Sequence, residues 1–223
     1  MTLSKAQIAG LSTLQMASLS DGDLAQLTDT QFQALSTAVV ASLNSTLTSG
    51  LSNDLISSLT TAQARSLTST QIALLSTRQL QAIATVDLQA LSAETLSSLG
   101  TTTVNKLTSD QLAILTSAQI RALTSDQLNA LSQEQLQAIE TSDFATIATT
   151  QIASISTAQV KNLSNRQLLA LTSAQTQALL SAQLSNFSVD QVPALSSSTL
   201  NVLSSSQLDA LSSAQLNLLS GSQ

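Results

Sequence analysis

An eight-residue period limits what this chain can fold into more than any other feature of the sequence. It is plainest from Leu107 to Ile139, where one octad is written four times. We label the octad positions a to h: Leu at a, Ser or Thr at b, small polar residues at c and d, Gln at e, Leu or Ile at f, a variable residue at g and a small residue, often Ala, at h. Counting in eights from Leu3 meets an apolar residue at every step to Leu219, giving 27 complete octads without an insertion or deletion. A period of this kind predicts a repeat architecture.

The spacing of the apolar rows argues against two simple folds. Positions a and f are separated alternately by five and three residues, and in one continuous helix this stripe would drift by about 80° per octad, so no partner could follow it. In one unbroken strand, a and f would face opposite sides of the sheet because their positions differ in parity. A β-solenoid with a corner inside each octad avoids that objection and stays open as an alternative.

The octad matches the sequence signature of a helix start. Ser or Thr at b and Gln at e form the pattern of a capping box, and the apolar residues at a and f form that of a hydrophobic staple. Twelve of the 13 acidic residues lie at b to e, where the positive end of a helix dipole favours carboxylates. The regular stretch gives the predicted helix-capping residues: Thr108, Gln111, Thr116, Gln119, Thr124 and Gln127.

These features predict an all-α solenoid of about 27 short helices of roughly seven residues, one per octad, in a single domain over residues 1–223. Isolated helices of this length are marginal, so the a and f rows must pack between neighbouring units. The predicted core residues of the regular stretch are Leu107, Leu112, Leu115, Ile120, Leu123, Leu128, Leu131 and Leu136. The number of octads in one superhelical turn does not follow from the pattern, nor does a role for the irregular segment 35–58.

The composition carries no sign of catalytic chemistry. With no His and no Cys, the chain lacks a Ser/His triad, a thiolate nucleophile and the usual zinc ligands. We therefore predict a protein that is not an enzyme, with no catalytic, cofactor-binding or metal-ligating residue. A net charge of −6, with seven Lys and Arg residues spread singly, argues against nucleic-acid binding. No apolar run approaches the roughly 20 residues of a membrane span, and no Sec-type signal is expected.

The ends of the array indicate what such a solenoid could do. Solenoids usually need polar capping repeats to stay monomeric, and the octad register here continues from Leu3 to Leu219 without one. Both end faces are expected to expose the a and f core, and contact between two unlike ends propagates as an open filament if it does not close a ring. The expected partner is therefore a second copy of the chain, bound head-to-tail. The alternatives are a monomeric module that binds carbohydrate, ice or protein on its Ser/Thr-rich face, and a spacer that sets a length.

The unit L-[ST]-x-x-Q-[LI]-x-A, as in Leu123 to Ala130, resembles short tandem repeats in large bacterial surface and secreted proteins. It also resembles the opening helix of TAL-effector repeats, but the second helix and the base-reading loop are missing, so DNA reading does not carry over. The first resemblance covers the whole chain and implies no site residues. It implies an extracellular or cell-surface structural polymer, with a cytoplasmic location as the alternative.

Overall fold

The computed structural model describes residues 4–221 and 223, and for Asp21 the main chain only. Every regular element among these residues is a short helix, and no strand occurs among them. The all-α prediction is therefore confirmed and the β-solenoid alternative is wrong. Each of the 27 complete octads contributes one element, either an α-helix or, once, a 3-10 helix.

The described residues fall into two compact units, one within Met1–Ile114 and the other within Leu115–Gln223. The predicted single domain over 1–223 stays a prediction. The helices of the first unit are α1 Lys5–Ala9, α2 Thr13–Ala17, α3 Asp21–Leu24, α4 Asp29–Phe32, α5 Thr37–Ala41, α6 Ser45–Ser49, α7 Asn53–Ser57, α8 Thr61–Ser66, α9 Ser69–Leu74, α10 Thr77–Ala82, α11 Thr85–Ala90, α12 Ala93–Ser97, α13 Thr101–Val104 and α14 Ser109–Ala113.

The second unit continues the same pattern with one change of helix type. Its elements are α15 Ser117–Ala122, α16 Ser125–Ala130, α17 Gln133–Ala138, α18 Thr141–Phe144, α19 Thr149–Ser154, α20 Thr157–Val160, α21 Asn165–Leu169, α22 Ser173–Ala178, α23 Ser181–Leu184, the 3-10 helix η1 Val192–Ala194, α24 Ser197–Leu200, α25 Ser205–Leu208 and α26 Ser213–Leu216. Pro193 lies in η1 and has no backbone N–H, so it removes the bond that an α-helix would need there.

The helices are four to six residues long, shorter than the predicted seven, because each octad also contains extended residues between helices. In α16, the N-cap Thr124 has ψ 162° and the C-cap Leu131 has ψ 143°, and both values lie outside the helical region. The chain therefore leaves the helix at a and re-enters it after b. No residue of the described part needs a positive φ to make these bends.

The core of each unit consists of the a and f rows, and successive turns of the solenoid stack on one another. Within each unit, helices pack against the helix three octads earlier, as α8 does against α5 and α22 does against α19. Hydrogen bonds described below reach back 28 and 31 residues, to the octads three and four positions earlier. One turn therefore takes between three and four octads, which the sequence pattern alone did not give.

Candidate functional site: the amide ladder and the two end faces

The predicted capping residues form reciprocal hydrogen bonds at the start of their helices. The backbone N–H of Gln111 donates to Thr108 Oγ1 at 3.0 Å, and the backbone N–H of Thr108 donates to Gln111 Oε1 at 3.1 Å. The same pair of bonds joins Thr116 with Gln119 and Thr124 with Gln127. Each box satisfies two of the backbone donors that a helix N-terminus leaves without partners.

The capping box is reduced by half where position b lacks a hydroxyl. Ala148 and Leu180 have no side-chain acceptor, yet the backbone N–H of each still donates to Oε1 of the e-position glutamine.

The predicted core residues lie in the a and f rows between these caps and are at most 3% exposed: Leu107, Leu112, Leu115, Ile120, Leu123, Leu128, Leu131 and Leu136.

The e-position glutamine also links successive turns of the solenoid through its amide nitrogen. Gln63 Nε2 donates to the carbonyls of Phe32 and Leu35, both at 2.9 Å. Gln167 Nε2 donates to the carbonyls of Leu136 at 2.8 Å and Ile139 at 3.2 Å. These carbonyls lie at the C-terminal end of a helix one turn back, where the helix leaves acceptors without intrahelical partners. One side chain thus caps its own helix start and an earlier helix end.

This contact repeats through both units, and we call it the amide ladder. It is made by Gln63, Gln71, Gln79, Gln111, Gln151, Gln159, Gln167, Gln175, Gln183, Gln191, Gln207, Gln215 and Gln223. Sequence reasoning assigned these glutamines to the local cap alone and missed the second contact. The available signal was that Gln fills 18 of the 27 e positions and Glu fills none, since a solvent-exposed cap accepts Glu as readily as Gln.

A second row of amides, at position g, joins the turns in the opposite sense along the chain. Gln33 Nε2 donates to the Ser58 carbonyl at 2.8 Å, and Gln137 Nε2 donates to the Asn162 carbonyl at 2.8 Å. Each acceptor lies at position h, 25 residues later in the chain. Because g is exposed, these bonds contribute less than the buried ladder at e.

The irregular segment 35–58 interrupts the amide ladder. Val39, Leu47 and Leu55 occupy position e there and are buried, so no side-chain amide reaches back from them. The described residues 4–27 consequently make no side-chain hydrogen bond to a residue more than three positions away. The described residues 4–27 therefore lack the amide-ladder hydrogen bonds that join later turns.

A lysine side chain replaces one missing hydrogen bond of the amide ladder. Thr103 occupies position e in its octad and is too short to reach the preceding turn. Lys106 Nζ donates instead to the Leu75 carbonyl at 2.8 Å, the acceptor that lies 28 residues before Thr103. The carbonyl at the end of α9 therefore keeps a donor although the repeat departs from its consensus.

The first-turn face consists of Gln7, Leu11, Gln15, Leu19 and Leu27. Gln7 and Gln15 use Oε1 in their capping boxes, but Nε2 of each donates to no atom of the described residues. Both side chains are exposed, and the three leucines are only half-buried, in contrast to the buried a row of later turns. This face presents amide donors beside leucine side chains.

The last-turn face consists of Leu203, Leu208, Leu211 and Leu216. Leu208 is 39% exposed and Leu216 is 41% exposed, whereas the f-position residues Leu136 and Leu168 are 0% exposed. The Leu203 and Leu211 carbonyls accept no hydrogen bond from the described residues, while the equivalent Leu195 carbonyl accepts one from Gln223. This face presents carbonyl acceptors beside leucine side chains.

Most acidic side chains in the described part of the chain lie at helix starts, where Asp23 contacts Ser20. No group of three or more acidic residues there is placed to hold a metal ion. Hydrogen bonds from the Ser20 hydroxyl at 2.7 Å and the Ser20 backbone N–H at 2.9 Å lower the pKa of Asp23, a local helix-capping arrangement. None of the described helices is both long and apolar enough to cross a membrane.

Comparison with known proteins supports the repeat and is silent on activity. The sequence model of the ALTTAQ repeat matches residues 104–138 and 136–173, within the most regular part of the chain. No curated protein matches the chain. The chain is a tandem-repeat protein that is similar to the ALTTAQ repeat family over residues 104–173. These matched segments cover less than half of the sequence.

Proposed function

We propose that this protein is a non-enzymatic structural protein that assembles head-to-tail into filaments through its first-turn and last-turn faces. The observation that carries the proposal is the exposure of core residues on the last-turn face, where Leu208 and Leu216 are 39% and 41% exposed. Clustered exposed leucines of this kind mark association surfaces. Within each unit, the equivalent f-position leucines are covered by another turn of octads. The last-turn face therefore fits a turn of octads from a second copy of the chain.

The two faces are unlike, which sets the form of the assembly. The first-turn face is formed by residues at a and e, and the last-turn face by residues at a and f together with backbone carbonyls. A contact between unlike faces leaves a free copy of each face on the product, so it extends until it closes a ring or continues as a filament. A filament at the bacterial cell surface agrees with the resemblance to surface-protein repeats.

Sedimentation velocity over a range of concentrations, with electron microscopy of the same samples, tests this function. We expect the weight-average mass to rise with concentration and filaments of uniform width to appear. Replacing Leu208 and Leu216 by Lys removes exposed apolar surface and adds like charges, and this variant should stay monomeric.

The matched control replaces Leu169 and Leu180 by Lys. These side chains are 61% and 54% exposed but lie outside the last-turn face, so this variant should assemble as the unmodified chain does. Circular dichroism of both variants checks that the helices are retained. An unmodified chain that stays monomeric at every concentration contradicts the proposal and favours a monomeric binding module or spacer.

The proposed location outside the cell has a separate test. Antibodies against the purified chain should label intact cells of the source organism without permeabilisation. Labelling only after permeabilisation would place the protein inside the cell and would contradict this part of the proposal.

A further inference from the structure

The amide ladder inside each unit shows how one turn of octads recognises the next. Gln175 Nε2 donates to the carbonyls of Phe144 at 3.2 Å and Ile147 at 2.9 Å, and Gln183 Nε2 does the same eight residues later with Ile152 and Ile155. The glutamine amides at position e of one turn therefore donate hydrogen bonds to the backbone carbonyls at positions f and a of the preceding turn. The eight-residue spacing of the donors equals that of the acceptors.

The two end faces carry the two halves of this contact separately. On the first-turn face, Gln7 and Gln15 each have an amide nitrogen without an acceptor in the described residues, and they are eight residues apart. On the last-turn face, the Leu203 and Leu211 carbonyls accept no hydrogen bond there and are also eight residues apart. Donors lie on one face and acceptors on the other, in the same spacing.

We propose that the last-turn face binds the first-turn face of a second copy in one register, in which Gln7 Nε2 donates to the Leu203 carbonyl and Gln15 Nε2 donates to the Leu211 carbonyl. This inference rests on the proposed head-to-tail assembly and names its contact atoms. The neighbouring f carbonyls of Leu200 and Leu208 then act as second acceptors, as the Leu136 carbonyl does for Gln167. The half-buried leucines of the first-turn face cover Leu208 and Leu216 of the partner.

The number of amide donors on the first-turn face selects this register. Asp23 has a carboxylate that accepts from Ser20 and cannot donate. A shift of one octad that placed Gln15 at Leu203 would set Asp23 against the Leu211 carbonyl and leave that carbonyl without a donor, whereas the proposed register sets Asp23 against the outer Leu219. The opposite shift would pair Gln15 with the outer Leu219 and leave the Leu203 carbonyl without a donor. The proposed register alone gives both a-position carbonyls on the last-turn face a partner.

The same chemistry gives the assembly a direction. Two first-turn faces would bring donors against donors, and two last-turn faces would bring acceptors against acceptors. Neither pairing completes the ladder, so the contact is head-to-tail and all copies in a filament point the same way.

A charge-matched pair of variants tests the contact. Replacing Gln7 and Gln15 by Glu keeps both capping boxes, since Glu accepts from the N-cap as Gln does, but it removes the amide donors and sets carboxylates against carbonyls. The control replaces Gln133 and Gln177 by Glu, which are exposed and lie on neither end face. We expect association of the first variant to be at least about 100-fold weaker, since each lost hydrogen bond is worth about a factor of ten, and the control to assemble normally.

Mixing two blocked variants tests the polarity. The Gln7→Glu/Gln15→Glu chain retains a working last-turn face, and the Leu208→Lys/Leu216→Lys chain retains a working first-turn face. Each alone should be monomeric, and an equimolar mixture should form heterodimers and nothing larger. A monomeric mixture, or filaments from either variant alone, overturns the assigned contact.

The outcomes separate this inference from the function on which it rests. If the unmodified chain forms filaments and the Gln7→Glu/Gln15→Glu variant does so equally well, the assigned contact is wrong and head-to-tail assembly by another route stands. If the unmodified chain never assembles, the proposed function itself is wrong. Circular dichroism and the urea midpoint of the double-Glu variant should match those of the control, which excludes misfolding as the cause of any loss.

Discussion

One substitution, Gln to Glu, is expected to have opposite effects at two positions of the e row. At Gln7, the change keeps the capping box and places a carboxylate in the first turn of α1, where the helix dipole favours negative charge by about 0.3–1 kcal/mol. At Gln167, the same box survives, but the amide that bonds the Leu136 and Ile139 carbonyls is lost. The pair of variants therefore separates the ladder from the cap.

The magnitude at Gln167 follows from its contacts and its burial. Two hydrogen bonds of 2.8 and 3.2 Å are lost, at about 1 kcal/mol each. Because the side chain is 1% exposed, the introduced carboxylate is also buried, which brings the expected loss to about 3–5 kcal/mol. The change at Gln7 should alter the free energy of unfolding by less than about 1 kcal/mol, in the stabilising direction.

Urea denaturation followed by circular dichroism at pH 7 measures both changes as shifts of the midpoint. A pH series adds a diagnostic for the buried carboxyl at position 167. Burial raises its pKa in the folded state, so the Gln167→Glu chain should be closest to the unmodified chain at low pH and lose stability as the pH rises through that pKa. Equal, small effects of the two substitutions would refute the claim that the amide ladder stabilises the solenoid.

Three further perturbations test other parts of the structure. Lys106→Ala should lower the free energy of unfolding by about 1 kcal/mol in urea melts, and adding Thr103→Gln should restore it by supplying the missing rung. Backbone amides of residues 4–27 should exchange with deuterium faster than those of any later turn in mass spectrometry, and Val39→Gln should slow them by introducing an amide donor. Because the pKa of Asp23 is lowered on folding, its contribution to stability is present above its unfolded pKa and is lost as the pH falls through its folded pKa. An Asp23→Asn chain should show a weaker acid dependence of its melting temperature, and an identical dependence in both chains would contradict this assignment.

The local structure could be predicted from the sequence because each octad contains its own signals. Thr124 and Gln127 are three residues apart within one helix start, and their capping contact needs no knowledge of the rest of the chain. The burial of Leu128 and Leu131 likewise follows from the apolar rows. The helices are shorter than expected because the residue at a becomes extended at the end of the helix, as Leu131 does.

The long-range contacts were not predictable from the octad because identical repeats carry no information about their partner. Gln63 looks the same as Gln7 in sequence, yet Gln63 is buried against Phe32 and Leu35 while Gln7 is exposed. The difference depends on whether an earlier turn lies within reach. Only the superhelical geometry, with three to four octads per turn, sets the separations of 28 and 31 residues.

The departures from the repeat had physical roles that became visible only in three dimensions. The sequence pattern gave no role for the irregular segment 35–58, and only the structure places the buried Val39 at a position where the ladder would otherwise have an amide donor. The replacement of a rung by Lys106 combines residues at e and h of one octad, and no periodic pattern links them.

The most direct test of the amide ladder is the hydrogen exchange of individual glutamine side-chain amides, measured by ¹⁵N NMR of the assigned monomer. We expect the Nε2 protons of Gln167, Gln175 and Gln183, which donate to buried carbonyls, to exchange much more slowly than those of Gln7 and Gln15. In filaments, the Gln7 and Gln15 amides should become protected as well. A single fast exchange rate for all glutamine side chains would contradict the ladder, and with it the proposed contact between copies.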